Sequence, residues 1–242
     1  MTQRKNPLIS VIIPAYNEEL YIRSCLTALV NQQTNEPYEI IVVDNNSLDQ
    51  TYNIAKSYGV RIIRETKKGA SAARNAGVRQ AHGDIMVFVD ADCIVPPNHL
   101  EKIADQFEVH HSLSVLAGPY IHHDGGLFIR WATDDLDYYT KLFTMYKIVF
   151  GVQGFASGNV AIKKSVYIKQ GGFNESLDDV IKAEDLELAI RLYKAGIPVT
   201  YLPSLKVMAS YRRINRAPLA TTFMRSYYAI NQLIHIPLSL YA

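Results

Sequence analysis

The feature that most limits the folds open to this chain is an alternation that fills its first half. Short runs that are apolar throughout take turns with stretches whose apolar residues recur at helical spacing. Leu8 to Ile13 is rich in Ile and Val and stops at Pro14, and Glu39 to Val43, Val60 to Ile63 and Ile85 to Val89 repeat the pattern. Between the first two runs, Glu19 to Val30 sets Ile22, Cys25, Leu26, Leu29 and Val30 at helical intervals. Ala70 to Ala81, opened by Gly69, is a second helical stretch, and Pro96-Pro97 opens another after the fourth run. A strand that is apolar on both sides of its pleat is buried on both faces, with helices covering it. The pattern predicts an α/β fold, with a mostly parallel central sheet flanked by helices. Ligands of such a sheet bind beyond the carboxyl ends of its strands.

The second half is less regular. Leu113 to Ala117, Gly158 to Ile162 and Ile197 to Leu202 read as strands. Glu184 to Ala195 reads as a helix, with Leu186, Ala189, Ile190 and Tyr193 on one face and Gly196 after it. The aromatic stretch Phe128 to Phe155 suits a flat apolar wall or a lid, and equally a packed core. At 242 residues and 48% hydrophobic the chain can bury a sizeable core without staples. Its two cysteines, Cys25 and Cys93, form no CxxC pair and read as small buried thiols. A net charge of +2 offers no electrostatic case for nucleic acid. The basic stretch Met1 to Pro7 does not lead into a signal-peptide pattern, and no apolar run reaches membrane-span length. A cytoplasmic protein is the expectation.

The polar motifs stand where the strands end. The first strand runs into Pro14-Ala15-Tyr16-Asn17-Glu18-Glu19, with neither a GxGxxG nor a GxxxxGK[ST]. Its ordinary reading is a helix start with Asn17 as N-cap. Asp44-Asn45-Asn46-Ser47 are turn formers, although Asp44 is also suited to accept a nucleobase N–H. Asp90-Ala91-Asp92 is the sharpest signal: alternation along an extended chain sends both carboxylates to one side. A divalent cation relieves that juxtaposition, since Mg²⁺ binds through one or two carboxylates plus substrate phosphates. Glu184-Asp185 complements a helix dipole, and the same dipole would keep a catalytic base ionised. Arg212-Arg213, with Arg216 behind, is either a solvated run or a diphosphate clamp. Lys67-Lys68, Arg74 and Asn75 form a second basic stretch, while His110-His111 and His122-His123 have no metal-ligand spacing.

In their order and spacing these motifs resemble the family 2 glycosyltransferases, which have the GT-A fold. The resemblance runs from about Ile9 to Arg213. It is carried by Ser10 to Glu19, Ile40 to Ser47, Gly69 to Gly77 and Val87 to Asp92, and then by Gly158-Asn159, Gly171-Gly172-Phe173 and Glu184-Asp185. It implies one GT-A-like domain, with a nucleotide-sugar-binding half over about 8–118, an acceptor half over about 119–213 and a C-terminal helical appendage at 214–242. Pro14, Ala15, Tyr16 and Asn17 would line the nucleotide pocket, with Glu18 close by. Asp44 would contact the base, Arg74 the base or phosphate side, and Asp90 would sit near the ribose, with Asn46 and Ala91 also in the nucleotide-sugar site. Asp92 would coordinate a divalent cation, Mn²⁺ or Mg²⁺. Asp185 would be the base, Glu184 would bind acceptor or donor sugar, and Gly158 and Asn159 would border the acceptor. Arg212 or Arg213 would steady the leaving diphosphate.

The activity implied is transfer of a sugar from a nucleotide-diphosphate sugar to a sugar, polysaccharide or lipid-linked acceptor, with inversion. Two departures stand out. Many members carry two consecutive acids where this chain has Asp44-Asn45, and Met208-Ala209-Ser210 occupies the region where some carry a histidine ligand. Rival readings are an inactive nucleotide-sugar-binding module and a haloacid-dehalogenase-type phosphohydrolase built on Asp90 and Asp92 with Asp178-Asp179. The phosphohydrolase motif, however, ends a first strand rather than a fourth. Leu219 to Ala242 has one formal charge, Arg225, and reads as a helix docked on the domain or as a peripheral membrane contact.

Overall fold

The computed structural model describes residues 8–122, 138–177, 183–210 and 212. The strands are β1 (Ile9–Ala15), β2 (Tyr38–Asp44), β3 (Arg61–Arg64), β4 (Ile85–Val89), β5 (Cys93–Ile94), β6 (Val115–Ala117), β7 (Tyr120–His122), β8 (Asn159–Lys163), β9 (Val199–Tyr201) and β10 (Val207–Ala209). The helices are α1 (Ile22–Val30), α2 (Thr51–Ser57), α3 (Ala70–Gln80), α4 (His99–Val109), α5 (Tyr138–Phe150), α6 (Lys164–Lys169) and α7 (Glu184–Lys194). The main sheet has seven strands in the order β3-β2-β1-β4-β8-β6-β9, so both halves of the chain contribute to it. Its pairs are parallel except for β8, which runs antiparallel to both β4 and β6. A small second sheet has the order β5-β10-β7.

The apolar runs become central strands because they have nowhere to meet water. Ile12, Ile13, Ile41, Val42, Phe88 and Val89 are all fully buried. Pro14 does not stop β1, which continues to Ala15 beside Asp44 of β2. The pairing of β1 with β4 ends at Ile12, so the missing proline N–H falls beyond the last pair on that side. Gly77 brings α3 against this centre: a Cβ there would lie 2.4 Å from Ile12 Cγ2.

Several boundaries differ from the sequence expectation. Helix α1 begins at Ile22 rather than Glu19, because Tyr21 and Ile22 fold back through their N–H groups onto the Glu18 carbonyl. Asn17 therefore caps nothing; it sits at φ 53°, and its side-chain oxygen accepts from Leu48 N–H of the β2 loop. Helices α2 and α6, and strands β7 and β10, have no counterpart in the sequence pattern. Each is too short to show a period. No helix among the described residues is long and apolar enough to cross a membrane. Arg213, Asp178-Asp179, the segment 214–242 and the side chains of His122 and His123 lie outside the described residues.

His99, at the start of α4, is buried, and neither ring nitrogen has a hydrogen-bond partner among the described residues. Burial, with a contribution from Lys102, pushes its pKa down from 6.5 to about 3. The unfolded chain takes up this proton near the ordinary imidazole value, the native chain only near about 3. Between those values the unfolded state holds more protons, so stability falls as pH falls. Lowering the pH from about 7.5 to about 5 should cost about 2 kcal/mol through this group. His99→Leu should flatten that part of the acid slope in urea melts. Equal slopes in both proteins would dissociate His99 from the acid sensitivity.

Candidate active site

The main-sheet strands that lead into polar motifs deliver them to one rim. After β4, the Cys93 N–H donates to the Asp90 carbonyl at 3.0 Å, so Asp90 to Cys93 is a turn. Extended-chain alternation is therefore not what gathers the two carboxylates; the turn does. Ligand atoms of Asp90, Asp92 and Cys93 lie within 4.8 Å of one another, and all three residues are buried.

Buried carboxylates need partners. Asp90 Oδ1 accepts from Arg74 Nη2 at 2.7 Å, and Asp90 Oδ2 accepts from the Tyr120 hydroxyl at 3.4 Å. The other Arg74 terminal nitrogen donates to Glu184 Oε1 at 3.2 Å, and the guanidinium lies 5.3 Å from the Phe173 ring centroid. Arg74 is only 1% exposed, so it sits beneath the rim and joins an acid of the first half to an acid of the second. Burial alone would lower its pKa, but the charges of Asp90 and Glu184 prevail and raise it. Burial and then Asp90 push the Tyr120 phenol well above its usual range, so it stays a donor. Gly158 permits this approach, because a Cβ there would stand 2.6 Å from Asp90 Cγ and 2.3 Å from the Tyr120 hydroxyl.

Glu184 and Asp185 open α7 and are both buried. Asp185 Oδ1 accepts the Leu186 N–H at 2.7 Å. The helix is fixed from behind by Arg191, which pairs with Glu187 and donates to the Gln170 and Gly172 carbonyls. The glycine pair and Phe173 are clasped by Asn75 of α3. Its side-chain oxygen accepts from Phe173 N–H at 3.1 Å and from the Tyr167 hydroxyl, and its Nδ2 donates to the Phe173 carbonyl and to Glu175.

A second contact set flanks the first. Arg212 follows β10, and its guanidinium donates to both oxygens of Glu18 and to Asp92 Oδ2, with Nε and Nη2 at 3.2 and 3.1 Å from the latter. It stacks 4.2 Å from the Tyr21 ring centroid. The β10–β5 register sets Ala209 opposite Cys93, which brings the residues after β10 to Asp92.

The remaining predicted residues lie at the ends of β1, β2 and β4 and at the start of β8. Pro14 and Ala15 end β1, Tyr16 is exposed at the rim, and Ala91 is buried between the two acids. Asp44 Oδ1 accepts the Ser47 N–H at 3.3 Å, and Asp44 lies 4.0 Å from Arg64. Asn46 takes φ 63° and donates to the Thr66 carbonyl. Asn45 fixes the approach to α3: its oxygen accepts Gly69 N–H, and its nitrogen donates to the Glu65 and Lys67 carbonyls. Asn159 donates to the Pro119 and Leu205 carbonyls, so it braces loops behind the rim. Tyr21 and Tyr120 escape a reading of the sequence. A lone tyrosine in a turn or a three-residue strand carries no spacing signal.

The donor set suits a hard divalent cation, because its charged atoms are carboxylate oxygens. Asp90 is engaged by Arg74 and Tyr120, and Asp92 shares Arg212 with Glu18.

Comparison with known proteins gives the family. The family model described as Glycosyl transferase family 2 matches residues 10–169. An uncharacterized glycosyltransferase of Haemophilus influenzae is 28% identical over 211 residues, covering 80% of this chain and 67% of that protein. The probable glycosyltransferase YdaM of Bacillus subtilis is 32% identical over 222 residues, covering 82% and 49%. The dolichol-phosphate mannosyltransferase of Pyrococcus furiosus is 29% identical, covering 73% and 53%. The chain thus spans about half the length of the latter two. Among solved structures, S. aureus TarS 1-349 in complex with UDP-GlcNAc superposes with a TM-score of 0.71 at 20% identity, covering 95% of this chain and 67% of that one. The mannosyltransferase PcManGT from Pyrobaculum calidifontis, in complex with GDP-Man and Mn²⁺, gives 0.69 at 22% identity, covering 93% and 66%. The fold is that of these GT-A enzymes. The match spans the strand ends that carry Asn17, Asp44, Asp90 and Asp92, and with it the chain is placed: it belongs to glycosyl transferase family 2.

Proposed function

We propose that the chain transfers a sugar from a nucleoside-diphosphate sugar to an acceptor hydroxyl, with inversion. The observation that carries this reading is the Asp90–Arg74–Glu184 bridge. It holds the acids after β4 in fixed relation to the acids that open α7. Residues of about 8–118 bind the donor in this reading, and residues of about 119–213 receive the acceptor. The ligands of the two superposed enzymes, UDP-GlcNAc and GDP-Man with Mn²⁺, support a donor of this class.

Pro14 to Glu18, Asp44 and Asn46 form the nucleotide wall, with Asp90 and Ala91 towards the ribose. Asp92 anchors a divalent cation, which when bound neutralises charge on the departing diphosphate. Asp185 takes the proton of the acceptor hydroxyl. As it does so, the acceptor oxygen bonds to the anomeric carbon, the bond from that carbon to the phosphate oxygen breaks, and the nucleoside diphosphate leaves with the electron pair. Glu184, fixed by Arg74, orients a sugar hydroxyl, and Gly158 lets Asp90 and Tyr120 close beside it.

The test is a melting panel with UDP-, GDP- and dTDP-sugars, each with and without Mn²⁺ or Mg²⁺. A ligand that binds only the folded state raises the melting point by mass action, by about 2.7 kcal/mol of stability at a hundredfold excess over Kd. One nucleotide class should give a metal-dependent rise, and Asp92→Ala should remove the metal-dependent part. An undiminished metal effect in that variant would displace Asp92 from the role. No rise with any nucleotide would remove the donor reading.

A further inference from the structure

The Arg212 contacts pose a question that the transfer reaction does not answer. Glu18 and Asp92 are among the buried acids at the rim, and Arg212 spans both while resting on Tyr21. Its forked guanidinium suits two carboxylates. Both Arg212 bonds to Asp92 go to Oδ2. That carboxylate is the one assigned above to the divalent cation. A guanidinium and a divalent cation on one carboxylate repel each other strongly in a partly buried site.

We propose that Arg212 is an internal stand-in for the cation: it neutralises Glu18 and Asp92 when no metal is present, and it must leave Asp92 for the metal to bind. The proposal rests on the assignment of Asp92 as metal anchor and deepens it. Metal binding then carries a built-in cost that the donor's diphosphate offsets, because the displaced guanidinium finds a new anion there. Free cation binds weakly, and cation with nucleoside diphosphate binds well. The position of Arg212 makes the exchange local. It lies three residues beyond Ala209, whose strand pairs with β5 directly after Asp92, so strand pairing seats the guanidinium beside the carboxylate it would leave.

The test is direct titration with Mn²⁺ and no nucleotide, with free Mn²⁺ read by electron paramagnetic resonance. If Arg212 is seated about nine-tenths of the time, the apparent affinity of the wild type is reduced about tenfold. Arg212→Gln should therefore bind Mn²⁺ about tenfold more tightly than wild type, and Asp92→Ala in that background should abolish the gain. Arg212→Lys, a point charge without the fork, should fall between. Melting curves give a second readout: Mn²⁺ alone should raise the melting point of Arg212→Gln more than that of the wild type. Equal or weaker Mn²⁺ binding in Arg212→Gln, with binding still sensitive to Asp92→Ala, would overturn the stand-in while leaving the metal anchor in place. Absent binding, or binding insensitive to Asp92→Ala, would remove the anchor itself and the stand-in with it.

Discussion

Asp185→Asn is expected to lower the rate of transfer by about 10²–10⁴-fold, the usual contribution of a positioned general base. The amide is nearly isosteric and its oxygen can still accept the Leu186 N–H, so the start of α7 should be undisturbed. What it lacks is the capacity to hold a proton. Donor binding should be unchanged, because the residue opens α7 and takes no part in the nucleotide wall. The measurement pairs single-turnover transfer, using the donor class chosen by the melting panel and a series of sugar acceptors, with donor affinity from thermal shifts. A loss confined to transfer fits a base. A matching loss of donor affinity would indicate that the acid binds donor, and retained transfer would take Asp185 out of the reaction.

The second large effect concerns stability. Arg74→Met should destabilise the fold by about 3–5 kcal/mol, because it leaves Asp90 and Glu184 buried without their shared cation. For a chain of this size that corresponds to a fall in melting temperature of roughly 10 °C. Methionine fills much of the volume, so the loss reports charge rather than a cavity. Lowering the pH should narrow the gap, since protonating the stranded acids relieves them, and this dependence separates the charge account from simple packing loss. Arg74→Lys should recover only part, as one ammonium cannot fork between two acids that approach from different elements. A loss below about 1 kcal/mol, or one that does not vary with pH, would contradict the role of the bridge.

The fold is legible in the sequence wherever a run is long enough to show a period. Ile85–Val89 is bounded as its apolar run predicts, and the helices through Leu26, Ala76 and Ile190 fall within a few residues of their expected places. What escapes is set by contact rather than by pattern. Strands β7 and β10 exist because Ile121, Met208 and Ile94 pair across the small sheet, and nothing local announces that. The acids of the rim are visible because charge at the end of an apolar strand is conspicuous. Their partners are harder to read. Arg74 stands out as a basic residue, yet only the folded chain shows it beneath the rim, and the hydroxyl of Tyr120 has no sequence signature at all. Asn17 shows the reverse failure. A polar residue ahead of a helix suggests a cap, but the chain turns left-handed there and the side chain serves the neighbouring loop.

The span of the rim contacts also bears on the order in which the molecule matures. Arg74 and Glu184 are 110 residues apart in sequence, and Glu18 and Arg212 are 194 apart. Strands β1 to β4, by contrast, are consecutive in the chain and pair among themselves. During synthesis they can close around their own apolar core while the ribosome is still making the second half. In that interval Asp90 and Asp92 follow the edge strand of a four-stranded half of the sheet without the arginine–glutamate bridge or the Arg212 contact, so the nascent chain is acidic at its rim. In the proposed reading the rim is complete only once Glu184, Asp185 and Arg212 have been made, so a ribosome stalled before Glu184 would display a folded half that transfers no sugar.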